Sequence, residues 1–135
     1  MKIRNGFVSN SSSSSFVIVS KDGELTQEKL LKAFEVSEKS PLFTLAKEIA
    51  GTMMNADEYT SEKFLDNFAY GDSLEEKEKE FKEDYPEYYE IYEKAKNNGW
   101  KIYMGYADSY DEAALCEMTL HYEDDELLID KEGGY

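Results

Sequence analysis

Hydrophobic and polar positions fall into distinct periods along the chain, and each period predicts an element. Phe16-Val17-Ile18-Val19 is a continuous apolar run rich in β-branched residues that closes on Lys21-Asp22-Gly23, the pattern of a buried strand ending in a turn. Helical spacing begins after Thr26, a cap followed by Leu30, Leu31, Phe34 and Val36, with Leu25 as a staple residue before it. Ser40-Pro41 predicts a second start, serine at the cap and proline at the first helical position. The stripe behind it, Leu42, Leu45, Ala46, Ile49, Ala50, Met53 and Met54, reads as core. Thr60 or Ser61 caps a short third helix presenting Phe64, Leu65 and Phe68, and Ser73 caps the next, with Glu76 three residues on.

Leu74, Phe81, Tyr88 and Ala95 then recur every seven residues, beside a track of Glu78, Tyr85 and Tyr92. Pro86 removes a backbone donor and disfavours helical geometry at Tyr85, so two helices are expected, about 74 to 84 and 86 to 97, with Gly99 as the stop. The stripe Tyr85, Tyr88, Tyr89 and Tyr92 is a candidate binding face, set against amphipathic packing as the commoner use of such a stripe. After Gly99 the period drops to two. Trp100, Ile102, Met104 and Tyr106 alternate with Lys101, Tyr103 and Gly105, a half-buried antiparallel strand, while Asp111 to Cys116 fits one helical turn. Met118, Leu120 and Tyr122, an acidic turn at Glu123-Asp124-Asp125, and Glu126 to Asp130 make a C-terminal hairpin.

The expected fold is α+β. One N-terminal strand and three C-terminal strands form a small, mostly antiparallel sheet, and the helical middle packs on one of its faces. A single domain spans 1–135, with a serine-rich arm over 1–15 and a globular body over 16–135. The first strand must join the C-terminal strands, which brings the two ends of the chain together.

Composition supports a packed domain rather than an acidic tail. The 135 residues are 41% hydrophobic and 14% aromatic, and a chain of this length buries roughly two-thirds of its unfolded surface. The single cysteine, Cys116, excludes an internal disulfide framework or a multi-cysteine metal cage. It reads as a small core residue rather than a nucleophile, because surrounding negative charge disfavours its thiolate. The start of the chain carries no apolar leader, and no stretch approaches the ~20 apolar residues of a membrane span. The expectation is a soluble, cytoplasmic protein without membrane contact.

Charge sharpens this. The formal net charge is -15, from 30 Asp and Glu against 15 Lys and Arg. It is uneven: +3 over 1–21, -5 over 22–71, -6 over 72–94, +2 over 95–107 and -9 over 108–132. Such a field repels nucleic-acid phosphates, so direct nucleic-acid binding is disfavoured. It attracts a basic protein surface and can capture cations, although acidic residues also serve solubility alone.

The N-terminal segment is the most unusual. Arg4, Asn5, Gly6, Phe7, Val8, Ser9 and Asn10 precede Ser11, Ser12, Ser13, Ser14 and Ser15, and then Phe16. Arg4 and Gly6 to Phe16 resemble an uncharacterised group of archaeal, bacterial and bacteriophage proteins that open with R-x-G-F-V-S-N-S-S-S-S-S-F. The C-terminal stretch, from Ala114-Leu115-Cys116 to Glu132-Gly133-Gly134-Tyr135, is similar to endings in that group. The resemblance implies no activity, cofactor or catalytic residue. Physically, the run could cradle a phosphate beside Lys2 and Arg4, serve as a modifiable tag, or lie as an exposed loop with its phenylalanines packed on the sheet. The last is favoured, because the spacing of a phosphate loop is absent.

Candidate chemistry is sparse. His121 is the single histidine. In a strand beginning at Glu117, Glu117 and His121 share a face, and with Asp108, Asp111 or Asp125 they could approach a divalent metal such as Mg²⁺, Mn²⁺ or Ca²⁺. The bland alternative is a solvated histidine among carboxylates. No nucleophile elbow or calcium loop is present. The reading that follows is a non-enzymatic acidic interaction or accessory factor, in keeping with a viral or mobile-element origin and binding a basic partner through its acidic faces, with Tyr85, Tyr88, Tyr89, Tyr92, Asp124 and Asp125 as contact residues. The alternatives are a metal-dependent phosphoester or nucleotide enzyme, and a nucleic-acid mimic that blocks a DNA- or RNA-binding enzyme.

Overall fold

A computed structural model describes residues 13–108, 115 and 118–132, with side chains from Ser15 onward and without that of Asp108. Among these, ten elements follow in the order β1 (Ser13–Ser20), α1 (Gln27–Phe34), α2 (Phe43–Met53), β2 (Asp57–Tyr59), α3 (Ser61–Asp66), α4 (Leu74–Asp84), α5 (Pro86–Asn98), β3 (Lys101–Asp108), β4 (Leu120–Glu123) and β5 (Leu127–Lys131). The strands form one sheet in the order β2-β3-β1-β5-β4, with every pairing antiparallel. The α+β class and the closure of the first strand against the C-terminal strands hold. None of the described helices is long and apolar enough to cross a membrane.

The layering differs from the expectation. Helices cover both faces of the sheet rather than one. Phe16 and Ile18 of β1 pack with α1, α2, Tyr103, Leu127 and Ile129 on one side. Val17 and Val19 pack with α3, α4, α5, Ile102 and Met104 on the other. β1 therefore sits at the centre with both faces covered, and this is why its sequence is continuously apolar instead of alternating. β3 is likewise covered on both faces, with Ile102, Tyr103 and Met104 all buried. The strand also begins earlier than expected: Ser13, Ser14 and Ser15 belong to β1 and pair with Asp108, Ala107 and Tyr106. The last part of the serine run is thus sheet, not loop. A fifth strand, β2, adds to the edge of β3.

Local chemistry sets the helix ends. Thr26, Thr60 and Ser73 are N-caps, their hydroxyls accepting the backbone N–H of Lys29 at 3.3 Å, Lys63 at 3.1 Å and Glu76 at 3.2 Å. α2 and α5 start without such a cap. Ser40 Oγ accepts from Leu42 N–H at 3.1 Å in a turn, and α2 starts at Phe43. Pro41 therefore precedes the helix instead of opening it. Only part of the expected stripe is core: Ala46, Ala50 and Met53 are buried, whereas Leu42 is 59%, Leu45 43% and Met54 36% exposed. α5 does open on Pro86, and it ends on Gly99 at φ +68°, the left-handed geometry that glycine accepts without strain. Trp100 N–H then donates to the Ala95 carbonyl at 3.0 Å, turning the chain into β3.

Candidate functional site

The tyrosine stripe of α5 grows out of the packing of the helical layer. Phe68 and Phe81 stack at 4.8 Å between ring centroids, and Phe64 meets both edge-on. Tyr85 lies edge-on to Phe68, Tyr88 stacks on Phe68 at 5.4 Å, and Tyr89 and Tyr92 approach Phe81. Tyr92 is buried, and its hydroxyl donates to Glu78 Oε2 at 2.8 Å. Burial and the Glu78 carboxylate both push its phenol well above the ordinary tyrosine range. Tyr89, raised chiefly by burial, donates to Glu93 Oε2 at 3.0 Å. Tyr92 is thus internal, Tyr85, Tyr88 and Tyr89 are half-buried over the aromatic cluster, and Tyr88 lines an open cleft.

That cleft, of about 360 Å³, lies between α5 and the β4–β5 end of the sheet. Tyr88, Ile91, Trp100 and Leu128 give it apolar walls, and Glu87, Glu90, Glu123 and Asp130 line it with carboxylates against a single lysine, Lys94. Lys94 pairs with Glu90 at 2.8 Å, which holds the Glu90 carboxyl below its usual range. Lys21 reaches the same corner. Its ammonium donates to Glu123 Oε2 at 2.7 Å and lies 5.0 Å from the Trp100 ring centroid, a cation–π contact beside a salt bridge.

His121 and Asp130 are directly opposite in the β4–β5 ladder and meet inside this cleft. His121 Nδ1 lies 2.5 Å from Asp130 Oδ1, and Nε2 lies 2.9 Å from Glu132 Oε1. The second oxygen of Asp130 accepts the Tyr88 hydroxyl. The result is a chain of four groups, Tyr88, Asp130, His121 and Glu132, that joins α5 to the terminal hairpin. Sequence reasoning had neither Asp130 nor Glu132, nor the cleft residues Glu87 and Trp100, nor Lys21 beside them. The hairpin is centred on Asp125-Glu126, which sets 121 opposite 130; the expected turn at Glu123-Asp124-Asp125 would have set 121 opposite 127 and hidden the pair.

The other expected site residues separate. Asp124 is a turn-former: Oδ1 accepts the N–H groups of Glu126 and Leu127, both at 2.8 Å, and Oδ2 accepts the Tyr122 hydroxyl at 2.6 Å. Those donors, Tyr122 foremost, hold its carboxyl below the ordinary range. Asp125 is exposed at the tip of the same turn. Of the expected metal ligands, Asp111 and Glu117 lie outside the described residues, as does the side chain of Asp108, and β4 begins at Leu120 rather than 117. His121 turns to Asp130 and Glu132 instead. Among the described residues no group of three or more His, Cys, Asp or Glu is placed to hold a metal ion. Arg4, Gly6, Phe7, Ser9, Asn10, Ser11, Ser12 and Cys116 also lie outside the described residues, whereas Ser15 and Phe16 are buried in β1.

Comparison of the chain with protein-family models, with curated proteins and with solved structures returns no match.

Proposed function

We propose that this protein is a binding module that receives a basic protein segment in the cleft between α5 and the β4–β5 hairpin. The observation that carries the reading is the lining of that cleft, four carboxylates over apolar and aromatic walls with Lys94 as its one lysine. Aromatic anchors desolvate a contact and carboxylates choose its sign, the combination that favours a lysine or arginine side chain with its aliphatic stem. Lys21, seated between Glu123 and the Trp100 ring, is an internal precedent: a cation from this chain already uses the same chemistry. The net charge of -15 adds long-range attraction to a basic partner and opposes contact with nucleic acid.

Trp100 is the single tryptophan and stands in the cleft wall, so its fluorescence reports occupancy. Titration with a hexalysine peptide should change Trp100 emission, a hexaglutamate peptide should not, and apparent affinity should fall as salt rises. Glu87→Gln combined with Glu123→Gln should weaken the lysine peptide. An unchanged emission, or an affinity indifferent to salt, would overturn the reading.

A further inference from the structure

We propose that the Asp130 and Glu132 carboxylates flanking His121 are the seat of the partner's cationic side chain, and that the proton on His121 competes with that cation for them. The inference rests on the basic-partner reading and adds to it a defined seat and a regulator. Both ring nitrogens of His121 face carboxylate oxygens, at 2.5 Å and 2.9 Å. An ionised carboxylate only accepts hydrogen bonds, so both contacts are satisfied together by the imidazolium, which has an N–H on each nitrogen. Neutral imidazole keeps one N–H and turns a lone pair toward the other carboxylate. That carboxylate is left without its donor and takes a new one.

A guanidinium or ammonium supplies it. Tyr88 holds the remaining oxygen of Asp130, so the aspartate stays oriented whichever cation is present. The other charged groups lining the cleft come from α5 (Glu87, Glu90 and Lys94) and β4 (Glu123). Glu90 is paired with Lys94 and Glu123 with Lys21, which leaves Glu87 as the further carboxylate facing an incoming cation. The exchange conserves charge: one cation enters, and one proton leaves His121 for solvent. Partner binding is therefore stronger at higher pH and weakens as His121 is protonated.

The test is calorimetric titration of the full chain with a hexaarginine peptide at pH 5.5 and pH 7.5, repeated in buffers of different ionisation enthalpy. Affinity should be about tenfold higher at pH 7.5, within the change that one competing proton can produce over two pH units. Proton release should appear as a buffer-dependent heat of binding. His121 is the single histidine, so its Cε1–H resonance is unambiguous and should move toward the neutral-imidazole position when peptide is added. His121→Asn should bind with little pH dependence. Equal affinity at both pH values without proton release, or full pH dependence in His121→Asn, would overturn the competition while leaving the basic-partner reading intact. Absence of binding at either pH would overturn both. If His121→Asn does not fold, the proton count and the resonance shift of the native chain decide the matter alone.

Discussion

Tyr122 and Asp124 close the terminal hairpin on itself: the Tyr122 hydroxyl donates to Asp124 Oδ2 at 2.6 Å while Oδ1 of the same carboxylate accepts two backbone N–H groups of the turn. The carboxyl is held below its ordinary range and the phenol is pushed up to about 12. These two shifts act at opposite ends of the pH scale. Asp124 binds its proton less readily in the folded chain than in the unfolded one, so its contribution to stability is complete above the ordinary carboxylate range and is lost as acid protonates it. Tyr122 keeps its proton more readily when folded, so its contribution is complete below about pH 10 and is lost as pH rises through about 12. Tyr122→Phe should reduce the alkaline sensitivity of the melting temperature between those limits. Asp124→Asn should lower the melting temperature by about 3 °C near neutral pH and flatten its acid limb. Thermal melts of both variants against pH check this.

α2 offers a contrast within one apolar stripe. Met53 is fully buried against β1 and α1, whereas Leu45 is 43% exposed. Met53→Ala should cost about 2–5 kcal/mol, the range for emptying a core site of this size. Leu45→Lys should stay within about 0.5 kcal/mol, as an exposed substitution does. Chemical denaturation of the two variants separates them. A large loss at Leu45 would mean that this face is covered in solution.

The same helix shows what periodicity can and cannot supply. Its three-and-four spacing located the element, and the burial of Ala46, Ala50 and Met53 follows from it. Spacing does not say how wide a stripe the neighbouring layer covers, so Leu42 and Leu45 were indistinguishable from Met53. β1 carried more than was drawn from it, because an uninterrupted apolar run is the mark of a strand covered on both faces. β2 was illegible: two of its three residues, Asp57 and Glu58, are exposed acids, and it is held at the sheet edge by backbone pairing with β3. In the cleft, matching His121 to Asp130 needs the turn centred on Asp125-Glu126, one residue and a half beyond the centre of the acidic turn expected at 123–125, and register shifts with every residue of that offset. The approach of Tyr88 to Asp130 could not be read at all, since it depends on how α5 docks across the sheet, 42 residues away in sequence.

The helical layer depends on its aromatic centre. Phe81 is fully buried, stacked on Phe68 and ringed by Phe64, Tyr85, Tyr89 and Tyr92. Phe81→Ala removes the shared contact between α3, α4 and α5 and should cost about 3–5 kcal/mol. Against a typical domain stability of about 5–15 kcal/mol, that leaves a marginal fold. The cleft should suffer with it, because Tyr88 is positioned by its stacking on Phe68. Loss of near-ultraviolet circular dichroism at temperatures where the native chain retains it is the expected readout.

Gly105 marks the closest approach in the sheet. A Cβ at this position would lie 2.6 Å from Phe16 Cζ and 3.2 Å from the Ala56 Cβ. Phe16 pairs with Gly105 in the β1–β3 ladder and is itself almost fully buried, so its ring must leave its packed position to admit the methyl. Gly105→Ala should therefore strain the core on the α1–α2 side of the sheet and cost about 1–3 kcal/mol, although alanine is the better strand residue by propensity. If the clash with the ring is the cause, shortening the ring should relieve it. Phe16→Leu alone should be destabilising, yet the double variant should lose less than the two single losses combined, because the leucine no longer reaches the atom that the new methyl meets. A double-mutant cycle by urea denaturation measures that coupling, and strict additivity would show that the glycine is needed for backbone reasons instead.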